Sequence, residues 1–575
     1  MISKDVVIIG TGFSGLGMAV KLLESGREDF VVLEKADDVG GTWRDNTYPG
    51  CECDIPSHMY SFSYDLNPTW SRSYSPQPEI WDYLRGVTDR RGLRPWIDFG
   101  VEVTGAAWDE SRQRWTVQTA GGQAYEARVV VSGIGALHIP RLPDIAGSET
   151  FAGPAFHSAQ WRHDIDLTGK HVAVIGTGAS AIQFIPVIAG QVAQLDVYQR
   201  TAPWVIPKND KCVEGWKKSL LDKVPGALRA YRSGVYWTLE STAFAFTGRF
   251  KGIGKLVEKQ VRSYVEKTVD DPETARKLIP DYRFGCKRVL KSNTYIETYN
   301  RDNVDLIDTG IAEITAAGVV DRDGVLHKAD VIIYGTGFHV IEAIEHLSYT
   351  GREGRDLGRE FTEKGVETYL GINVNGYPNL FFLLGPNTAL GHNSVVFMIE
   401  QQAKYVVRCL DEMDARGAVA LEPAPQAQRE FNNAIQRKLA EGIWTQGGCT
   451  SWYLDAQGVN RTIWPGFTFT YWWETRTVRD EDYTWETAKK EKEEEKEEKE
   501  EKETTGHDVR LAPVGHASSW GGVTAGPAAA LGVAVDPVPA TASGPGAVAA
   551  PPVRRPFHAH DRPRLAQVRR LPPCR

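Results

Sequence analysis

The sequence predicts an α/β protein built on parallel sheets, followed by a tail with no globular pattern. From residue 1 to about residue 485, short β-rich apolar runs alternate with helical stretches, which is typical of parallel sheets covered by helices. Two of the apolar runs lead directly into glycine-rich turns. With 575 residues, of which 42% are apolar, the chain can bury several cores.

The first glycine-rich turn follows the apolar run 6–9 and opens a helix. Its spacing lets Gly10 make the tight turn, lets Gly12 admit a pyrophosphate to the backbone, and lets Gly15 pack helix against strand. The next apolar run ends in Glu34, at the position where a carboxylate binds a ribose 2′-OH. The turn residues predicted to bind this nucleotide are Gly10, Gly12, Phe13, Ser14 and Gly15.

The same unit recurs after the apolar run 172–175. Its turn residues predicted to bind a nucleotide are Gly176, Gly178, Ala179 and Ser180. The second strand of this unit ends in Arg200, followed by Thr201, where the first unit has Glu34. A guanidinium can hold a 2′-phosphate that an acid would repel, so this unit favours NADP. We therefore expect two Rossmann-like domains, one for FAD and one for NADPH, with hydride transfer between them.

Composition changes along the chain suggest six segments. The predicted segments are the first part of the FAD-binding domain (1–150), the first part of the NADP-binding domain (151–204), a helical insertion (205–282), the second part of the NADP-binding domain (283–370), the second part of the FAD-binding domain (371–487) and a charged low-complexity, disordered tail (488–575). The tail begins with a run of Lys and Glu that has no apolar residue and cannot pack on a core.

Charge and cysteine content exclude several classes of protein. A net charge of −8 argues against a nucleic-acid partner that needs a basic surface. The sequence has neither a signal segment nor an apolar run long enough to span a membrane, so we expect a cytoplasmic protein. Its seven cysteines form no CxxC pair, so neither a disulfide framework nor a metal site is expected. The oligomeric state is left open.

Two ordered motifs resemble those of the type I Baeyer–Villiger monooxygenases, a group of class B flavoprotein monooxygenases. Residues 40–50, which include Gly41, Thr42 and Trp43 and lead to Asp54, resemble the family's flavin-side motif. Residues 151–161, from Phe151 through His157 to Trp161, resemble its linker fingerprint. We expect His157 and Trp161 to be structural.

Two further segments extend the resemblance to about residue 480. Lys287 and Arg288 look like the family's segment that carries its active-site arginine, and Ser451-Trp452-Tyr453 is similar to its mobile loop over the nicotinamide. The residues after this loop look closer to the hydroxyacetophenone-type subgroup.

The resemblance implies that NADPH reduces FAD, that O₂ adds to the flavin as a C4a-peroxide, and that this peroxide attacks a ketone to give an ester or lactone. Arg288 is the candidate to stabilise the developing oxyanion, and Asp54 is the candidate to hold Arg288 in place. Lys287 and Arg200 would share the NADPH 2′-phosphate.

Three other readings stay open from the sequence. A flavin monooxygenase that hydroxylates N or S shares most of these motifs and needs no arginine at the peroxide. A pyridine-nucleotide disulfide reductase shares the two-dinucleotide plan but needs a redox-active cysteine pair. The third reading is a flavin-bound scaffold without enzymatic activity.

Overall fold

A computed structural model describes residues 1–246, 251–340, 347–455 and 457–487 of the chain. The predicted tail (488–575) lies outside the described residues. In chain order the strands are β1 (Ile2–Ile9), β2 (Phe30–Glu34), β3 (Ile97–Phe99), β4 (Val103–Asp109), β5 (Arg114–Thr119), β6 (Ala124–Ser132), β7 (Ala155–His157), β8 (His171–Ile175), β9 (Gln194–Tyr198), β10 (Val205–Ile206), β11 (Leu290–Lys291), β12 (Val304–Ile307), β13 (Ile311–Thr315), β14 (Gly318–Asp321), β15 (Leu326–Lys328), β16 (Val331–Tyr334), β17 (Ser348–Thr350), β18 (Leu380–Phe382), β19 (Ala418–Pro423) and β20 (Tyr483–Thr487).

The helices connect these strands and cover their faces. They are α1 (Phe13–Glu24), α2 (Thr42–Asp45), α3 (Gln77–Arg90), α4 (Ala181–Ile188), α5 (Gly215–Lys223), α6 (Ala227–Phe246), α7 (Lys251–Thr268), α8 (Pro272–Lys277), α9 (Tyr295–Thr298), α10 (Leu357–Lys364), α11 (Val395–Arg416), α12 (Pro425–Ala440), α13 (Ile443–Gln446) and α14 (Thr468–Glu474). Among the described residues, no helix has both the length and the apolar content needed to cross a membrane.

The first sheet is mixed and has eight strands. Its order is β17-β4-β5-β6-β1-β2-β3, and β18 pairs with β6. The strands β1, β2, β3, β6 and β18 run parallel, whereas β4, β5 and β6 form an antiparallel meander. The central strand β1 is buried on both faces from Val6 to Ile9, because α1 and α11 cover one face and the meander covers the other.

The second sheet is fully parallel, in the order β12-β9-β8-β16-β7. The chain enters it at β7, next to β16, and continues through β8 and α4 to β9. The predicted helical insertion contains α5, α6, α7 and α8. In the chain these helices come after β10 and before β11, and the two short strands pair with each other. The α/β architecture with two parallel nucleotide-binding units is therefore the one that the sequence predicts.

One predicted boundary differs from the structure. The second part of the NADP-binding domain was expected to run from 283 to 370, but β17 pairs with β4 in the first sheet. The chain has thus returned to the first domain by Ser348. A strand of three residues carries too little pattern to mark this return in the sequence.

Candidate active site

The two glycine-rich turns have the same backbone construction. The amide of Gly10 donates to the Leu33 carbonyl at 2.8 Å, and the amide of Gly176 donates to the Tyr198 carbonyl at 3.0 Å. Each turn packs against a glycine that directly follows a neighbouring parallel strand: Gly133 follows β6, and Gly335 follows β16. A Cβ on Gly10 would lie 2.9 Å from the carbonyl oxygen of Gly133, and a Cβ on Gly176 would lie 2.5 Å from that of Gly335. Both turns therefore exclude side chains, as a backbone cradle for a pyrophosphate requires.

The first turn faces the flavin-side motif directly. Gly41 has φ +50°, and a Cβ there would lie 3.1 Å from the Cα of Gly12. Trp43 beside it donates its indole N–H to the Tyr60 hydroxyl at 3.1 Å. The Phe13 ring packs on Tyr60 with centroids 5.1 Å apart, so Phe13 can reach a nucleotide only through its backbone. These contacts bring Gly12, Gly41 and Thr42, the first residue of α2, to one side of a cleft.

Glu34 ends β2 beside this turn, as predicted, and is buried. Its carboxylate accepts from the Thr11 amide at 3.0 Å, from the Thr11 hydroxyl at 2.5 Å and from the Arg44 guanidinium at 3.0 Å. Burial alone would raise the pKa of Glu34, but these partners outweigh it and lower the pKa below its ordinary value. The carboxylate is therefore ionised, as an acceptor for ribose hydroxyls must be.

Gly15 provides a direct test of the first cradle. A Cβ at Gly15 would lie 1.8 Å from the Gly10 carbonyl oxygen, so we expect Gly15→Ala to push α1 off the turn and to lower the bound flavin per protein at least tenfold. Gly234→Ala is the matched control, because Gly234 is also helical and has open space around it. The flavin absorbance of the purified variants measures the effect. Normal flavin content in Gly15→Ala would contradict the assignment.

The second turn is open to solvent. Gly178 and Ala179 are exposed, and Ser180 precedes the first residue of α4. Arg200 is exposed at the end of β9, next to Thr201. The sequence placed these residues correctly at the carboxyl end of the second parallel sheet, where nucleotides bind in such folds.

Lys287 and Arg200 come from distant parts of the chain and lie within electrostatic reach of one another. Burial lowers the pKa of Lys287, and the positive charge of Arg200 lowers it further. The Lys287 ammonium lies 4.9 Å from the centre of the Tyr282 ring. Two cations held close together are what a doubly charged phosphate would stabilise.

Asp54 and Arg288 form a bidentate ion pair. The Nε of Arg288 donates to one carboxylate oxygen of Asp54 at 2.7 Å, and an Nη donates to the other at 2.6 Å. The other Nη of Arg288 points toward the Leu390 carbonyl at 3.5 Å. The side chains keep 30% and 24% exposure for Arg288 and Asp54, so the pair lies in a cleft that a ligand can enter.

The charges of this pair are fixed over the whole physiological range. The Asp54 carboxylate raises the pKa of Arg288 above its ordinary value. Burial raises the pKa of Asp54, but Arg288 and Lys291 outweigh burial and leave that pKa below its ordinary value. The pair thus supplies a permanent cation whose position is set by two hydrogen bonds.

The pair joins two hydrophobic cores. Asp54 lies between Cys53 and Ile55, which belong to the core of the first domain, whereas Cys286 and Leu290 on either side of Arg288 belong to the core of the second. Lys291 strengthens the junction by donating to the Asp54 carbonyl at 3.1 Å.

Gln183 on α4 makes a second polar junction between the two domains. Its side chain donates to the Glu52 carbonyl at 2.9 Å and accepts from the Tyr48 hydroxyl at 2.9 Å. The segment that ends at Asp54 is therefore tied to the second nucleotide-binding unit at two points.

The loop predicted to cover the nicotinamide lies near Arg288. Trp452 is 41% exposed, whereas the neighbouring Tyr453 is buried with its ring centre 4.5 Å away. The nearby Arg288 guanidinium lowers the pKa of Tyr453, but burial dominates and raises it to about 12. In this loop Tyr453 thus packs against the site, whereas Trp452 is exposed and can contact a ligand.

The expectation of no disulfide framework is wrong for cysteines that include Cys286 and Cys449. Cys286 and Cys449 are bonded, and they connect the segment of Arg288 to the start of the Trp452 loop. These cysteines are 163 positions apart, so no local spacing rule could pair them. Cys51 and Cys53 are free buried thiols, as the sequence suggested, and burial raises the pKa of Cys51 to about 12.

The linker residues have structural contacts. His157 ends β7, and its Nδ1 accepts from the Ala159 amide at 3.1 Å. Trp161 packs its ring against Phe156 and Phe184, with both centroids 5.4 Å away. Both residues hold the chain where it enters the second sheet, which is the structural role predicted for them.

Sequence reasoning missed Lys291 and the Leu390 carbonyl as parts of the site. Lys291 is three residues after Arg288 on the short strand β11, which could have marked it as a second cation of the same segment. The Leu390 carbonyl has no side-chain signal, so only the fold brings it near Arg288.

Comparisons with known proteins agree with this geometry. Residues 7–232 match the family model described as pyridine nucleotide-disulphide oxidoreductase. A Baeyer-Villiger monooxygenase of Pseudomonas aeruginosa is 46% identical over 81% of this chain and 88% of its own length. Another from Streptomyces coelicolor is 45% identical over 83% of this chain and 92% of its own. The chain belongs to the Baeyer–Villiger monooxygenase family.

A solved structure supports the same assignment for this monooxygenase. The OTEMO complex with FAD and NADP has a TM-score of 0.76 and 28% identity, and the match covers 84% of this chain and 99% of that one. The fold of this Baeyer–Villiger monooxygenase is thus one that holds both dinucleotides in a solved relative. A disulfide reductase would need a redox-active cysteine pair, and Cys51 and Cys53 do not fit that role, because burial raises the pKa of both thiols and keeps them protonated.

Proposed function

We propose that this monooxygenase inserts one oxygen atom of O₂ next to a ketone carbonyl, at the expense of NADPH, to give an ester or lactone. The observation that carries the proposal is the bidentate pair between Asp54 and Arg288. A monooxygenase that hydroxylates N or S needs no fixed cation at this point, whereas attack on a carbonyl develops negative charge on the ketone oxygen.

Arg288 is the group that we assign to this charge. When bound, FAD reduced by NADPH supplies the activated oxygen. Arg288 keeps a full positive charge at all working pH values, so it stabilises the developing oxyanion without a proton transfer. Asp54 fixes the plane of the guanidinium and leaves one Nη free of the carboxylate. Asp54 is in this sense a positioning residue.

The remaining predicted residues hold the cofactors. We assign the first turn and Glu34 to FAD, because the cradle excludes side chains and ends beside an ionised carboxylate. We assign Arg200 and Lys287 to the 2′-phosphate of NADPH, because these two cations lie within electrostatic reach of each other and the phosphate is doubly negative. We place Trp452 over the nicotinamide, because it is the exposed residue of the loop beside Arg288.

A product assay tests the proposed reaction. Purified flavin-loaded protein is incubated with NADPH, O₂ and either a panel of ketones or an amine and a thioether, and products are identified by mass spectrometry. Esters or lactones from the ketones are expected. Oxygenation of the amine or thioether alone would overturn the proposal in favour of the N- or S-hydroxylating reading. A flavin-bound protein that does not consume NADPH would instead favour the reading as a flavin-bound scaffold without enzymatic activity.

The proposed reaction defines the substrates. The sequence is the basis for the proposed cellular location. We infer a small ketone and O₂ as substrates and a cytoplasmic location. The hydroxyacetophenone-type subgroup remains a prediction, which the ketone panel addresses through its aromatic members.

The tail supplies a separate prediction. Deleting residues 488–575 should leave the flavin spectrum and the NADPH-dependent ketone conversion unchanged, because its first segment has no apolar residue to add to a core. Loss of soluble flavin-bound protein on truncation would contradict this expectation.

A further inference from the structure

Five exposed aromatic residues and the half-buried Phe467 form one surface on the helical insertion, on α14 and at the residue that precedes α14. Trp237 and Trp473 are 59% and 52% exposed, although tryptophan is usually mostly buried. We call this surface the aromatic face. Its members are Trp237, Phe244, Phe467, Phe469, Trp472 and Trp473.

The aromatic face is continuous across the two helices. The ring of Trp237 lies 6.3 Å from that of Phe469, and the ring of Phe244 lies 4.9 Å from that of Phe467. On α14, Phe469, Trp472 and Trp473 follow helical spacing and therefore share one side of the helix.

Buried hydrogen bonds hold the aromatic face in place. Glu240 on α6 is buried, and its carboxylate accepts from the Thr468 hydroxyl at 3.0 Å and from the Asn393 amide at 2.7 Å. The Tyr236 hydroxyl lies 3.0 Å from the Thr468 hydroxyl. The backbone beneath the exposed rings is thus fixed, and a fixed apolar patch of this kind marks a binding surface.

The insertion that carries two of the six aromatic residues is basic. Residues 215–268 contain 11 Lys and Arg but 4 Asp and Glu, whereas the whole chain has 66 against 74. On α5, the exposed Lys218 and Lys223 lie on the same helix as Trp216, which is 78% exposed. On the aromatic face itself, the Arg476 guanidinium lies 3.2 Å from the centre of the Trp473 ring.

We propose that the aromatic face docks on a lipid bilayer that contains anionic lipid. Tryptophan and phenylalanine rings insert at the boundary of headgroups and acyl chains, and Lys and Arg beside them are attracted to anionic headgroups. A second copy of this chain would bring two basic insertions together, which like charges oppose. The Lys and Glu run of the tail has no apolar side chain to cover the rings.

The position of the aromatic face gives such docking a consequence for the reaction. Phe246, two residues after Phe244, packs its ring on Gly285. A Cβ on Gly285 would lie 2.7 Å from that ring. Gly285 is three residues before Arg288, so the face borders the segment that carries the arginine. If the protein oxidises ketones as proposed, an apolar ketone dissolved in a bilayer would meet it next to the segment that carries Arg288.

Vesicle cosedimentation of the full-length protein tests the proposal. The probes are vesicles of phosphatidylcholine alone and vesicles of three parts phosphatidylcholine to one part phosphatidylglycerol, at low and high salt. We expect binding to the mixed vesicles that weakens at high salt. Trp237→Gln combined with Trp473→Gln should weaken it roughly tenfold or more through loss of buried apolar area. Lys218→Gln and Lys223→Gln should each weaken it roughly fivefold.

Matched controls separate the face from general surface effects. Leu326 on β15 is 44% exposed and lies outside the insertion, so Leu326→Gln should bind vesicles like the parent. Flavin content and ketone conversion without vesicles show that each variant is folded. Absence of binding, equal binding to both kinds of vesicle, or no effect of the tryptophan variants would overturn the proposal. So would a dimer in solution that Trp237→Gln dissociates.

Discussion

Replacement of Arg288 by alanine is expected to abolish ester formation while flavin binding survives. The guanidinium is the fixed cation of the cleft, and removal of one such oxyanion donor typically lowers the rate by about 10² to 10³. We assign FAD recognition to Gly10, Gly12 and Gly15 of the first turn and to Glu34 at the end of β2, so it should not depend on the Arg288 side chain. Any remaining NADPH oxidation should yield hydrogen peroxide instead of oxygenated product. Ketone conversion, NADPH consumption and peroxide are measured together.

A second variant separates loss of catalysis from loss of folding. Arg288→Ala leaves the half-buried Asp54 carboxylate without its bidentate partner, and a carboxylate that loses its partner in such a site destabilises the protein. The double variant Arg288→Met with Asp54→Asn removes both charges and should be equally inactive but better folded. Asp54→Ala alone should retain some activity, because Arg288 is still present without its anchor. Conversion of a ketone by Arg288→Ala at the parent rate would show that this residue is away from the reacting centre.

Loss of Arg200 or Lys287 is expected to raise the KM for NADPH far more than the KM for NADH. Only NADPH carries the 2′-phosphate, and losing one charge-assisted hydrogen bond costs about 1.5 to 3 kcal/mol, or roughly 10- to 150-fold. The two variants Arg200→Ala and Lys287→Ala should resemble each other, because the two cations lie close enough to shift the pKa of Lys287. Steady-state kinetics with both coenzymes measures the ratio.

The matched control for this prediction is Arg301→Ala. Arg301 belongs to the same domain, is exposed, and donates to the Asn303 side chain at 3.2 Å. Its loss should leave both KM values unchanged. Equal effects of Arg200→Ala on NADPH and NADH would place that side chain away from the phosphate.

Local signals explain why the nucleotide-binding units could be predicted. A glycine turn between a buried strand and a helix is encoded within a few residues, so Gly10 and Gly176 could be placed before the structure was known. The acid or arginine at the end of the next strand is equally local. The fold confirmed both units and the helices of the insertion.

Long-range contacts account for what the sequence could not predict. The pairing of β17 with β4 and the bond from Cys286 to Cys449 join residues far apart in the chain. Trp216 and Phe244 of the insertion stand at helical spacing, as residues on a core-facing side do, yet both are exposed. Helical spacing defines a side of a helix, and only the fold determines whether that side meets protein or solvent.

The ion pair between Asp54 and Arg288 also limits how the two nucleotide domains can rotate relative to each other. The chain neighbours of its two members belong to different cores, so a rotation that opened the nucleotide domains at this edge would break the pair. The hydrogen bonds of Gln183 would break in the same rotation, and water can replace them at about 0.5 to 1.5 kcal/mol each. We therefore expect domain closure to gate the proposed reaction, because Asp54 would hold Arg288 in position only while the domains are closed.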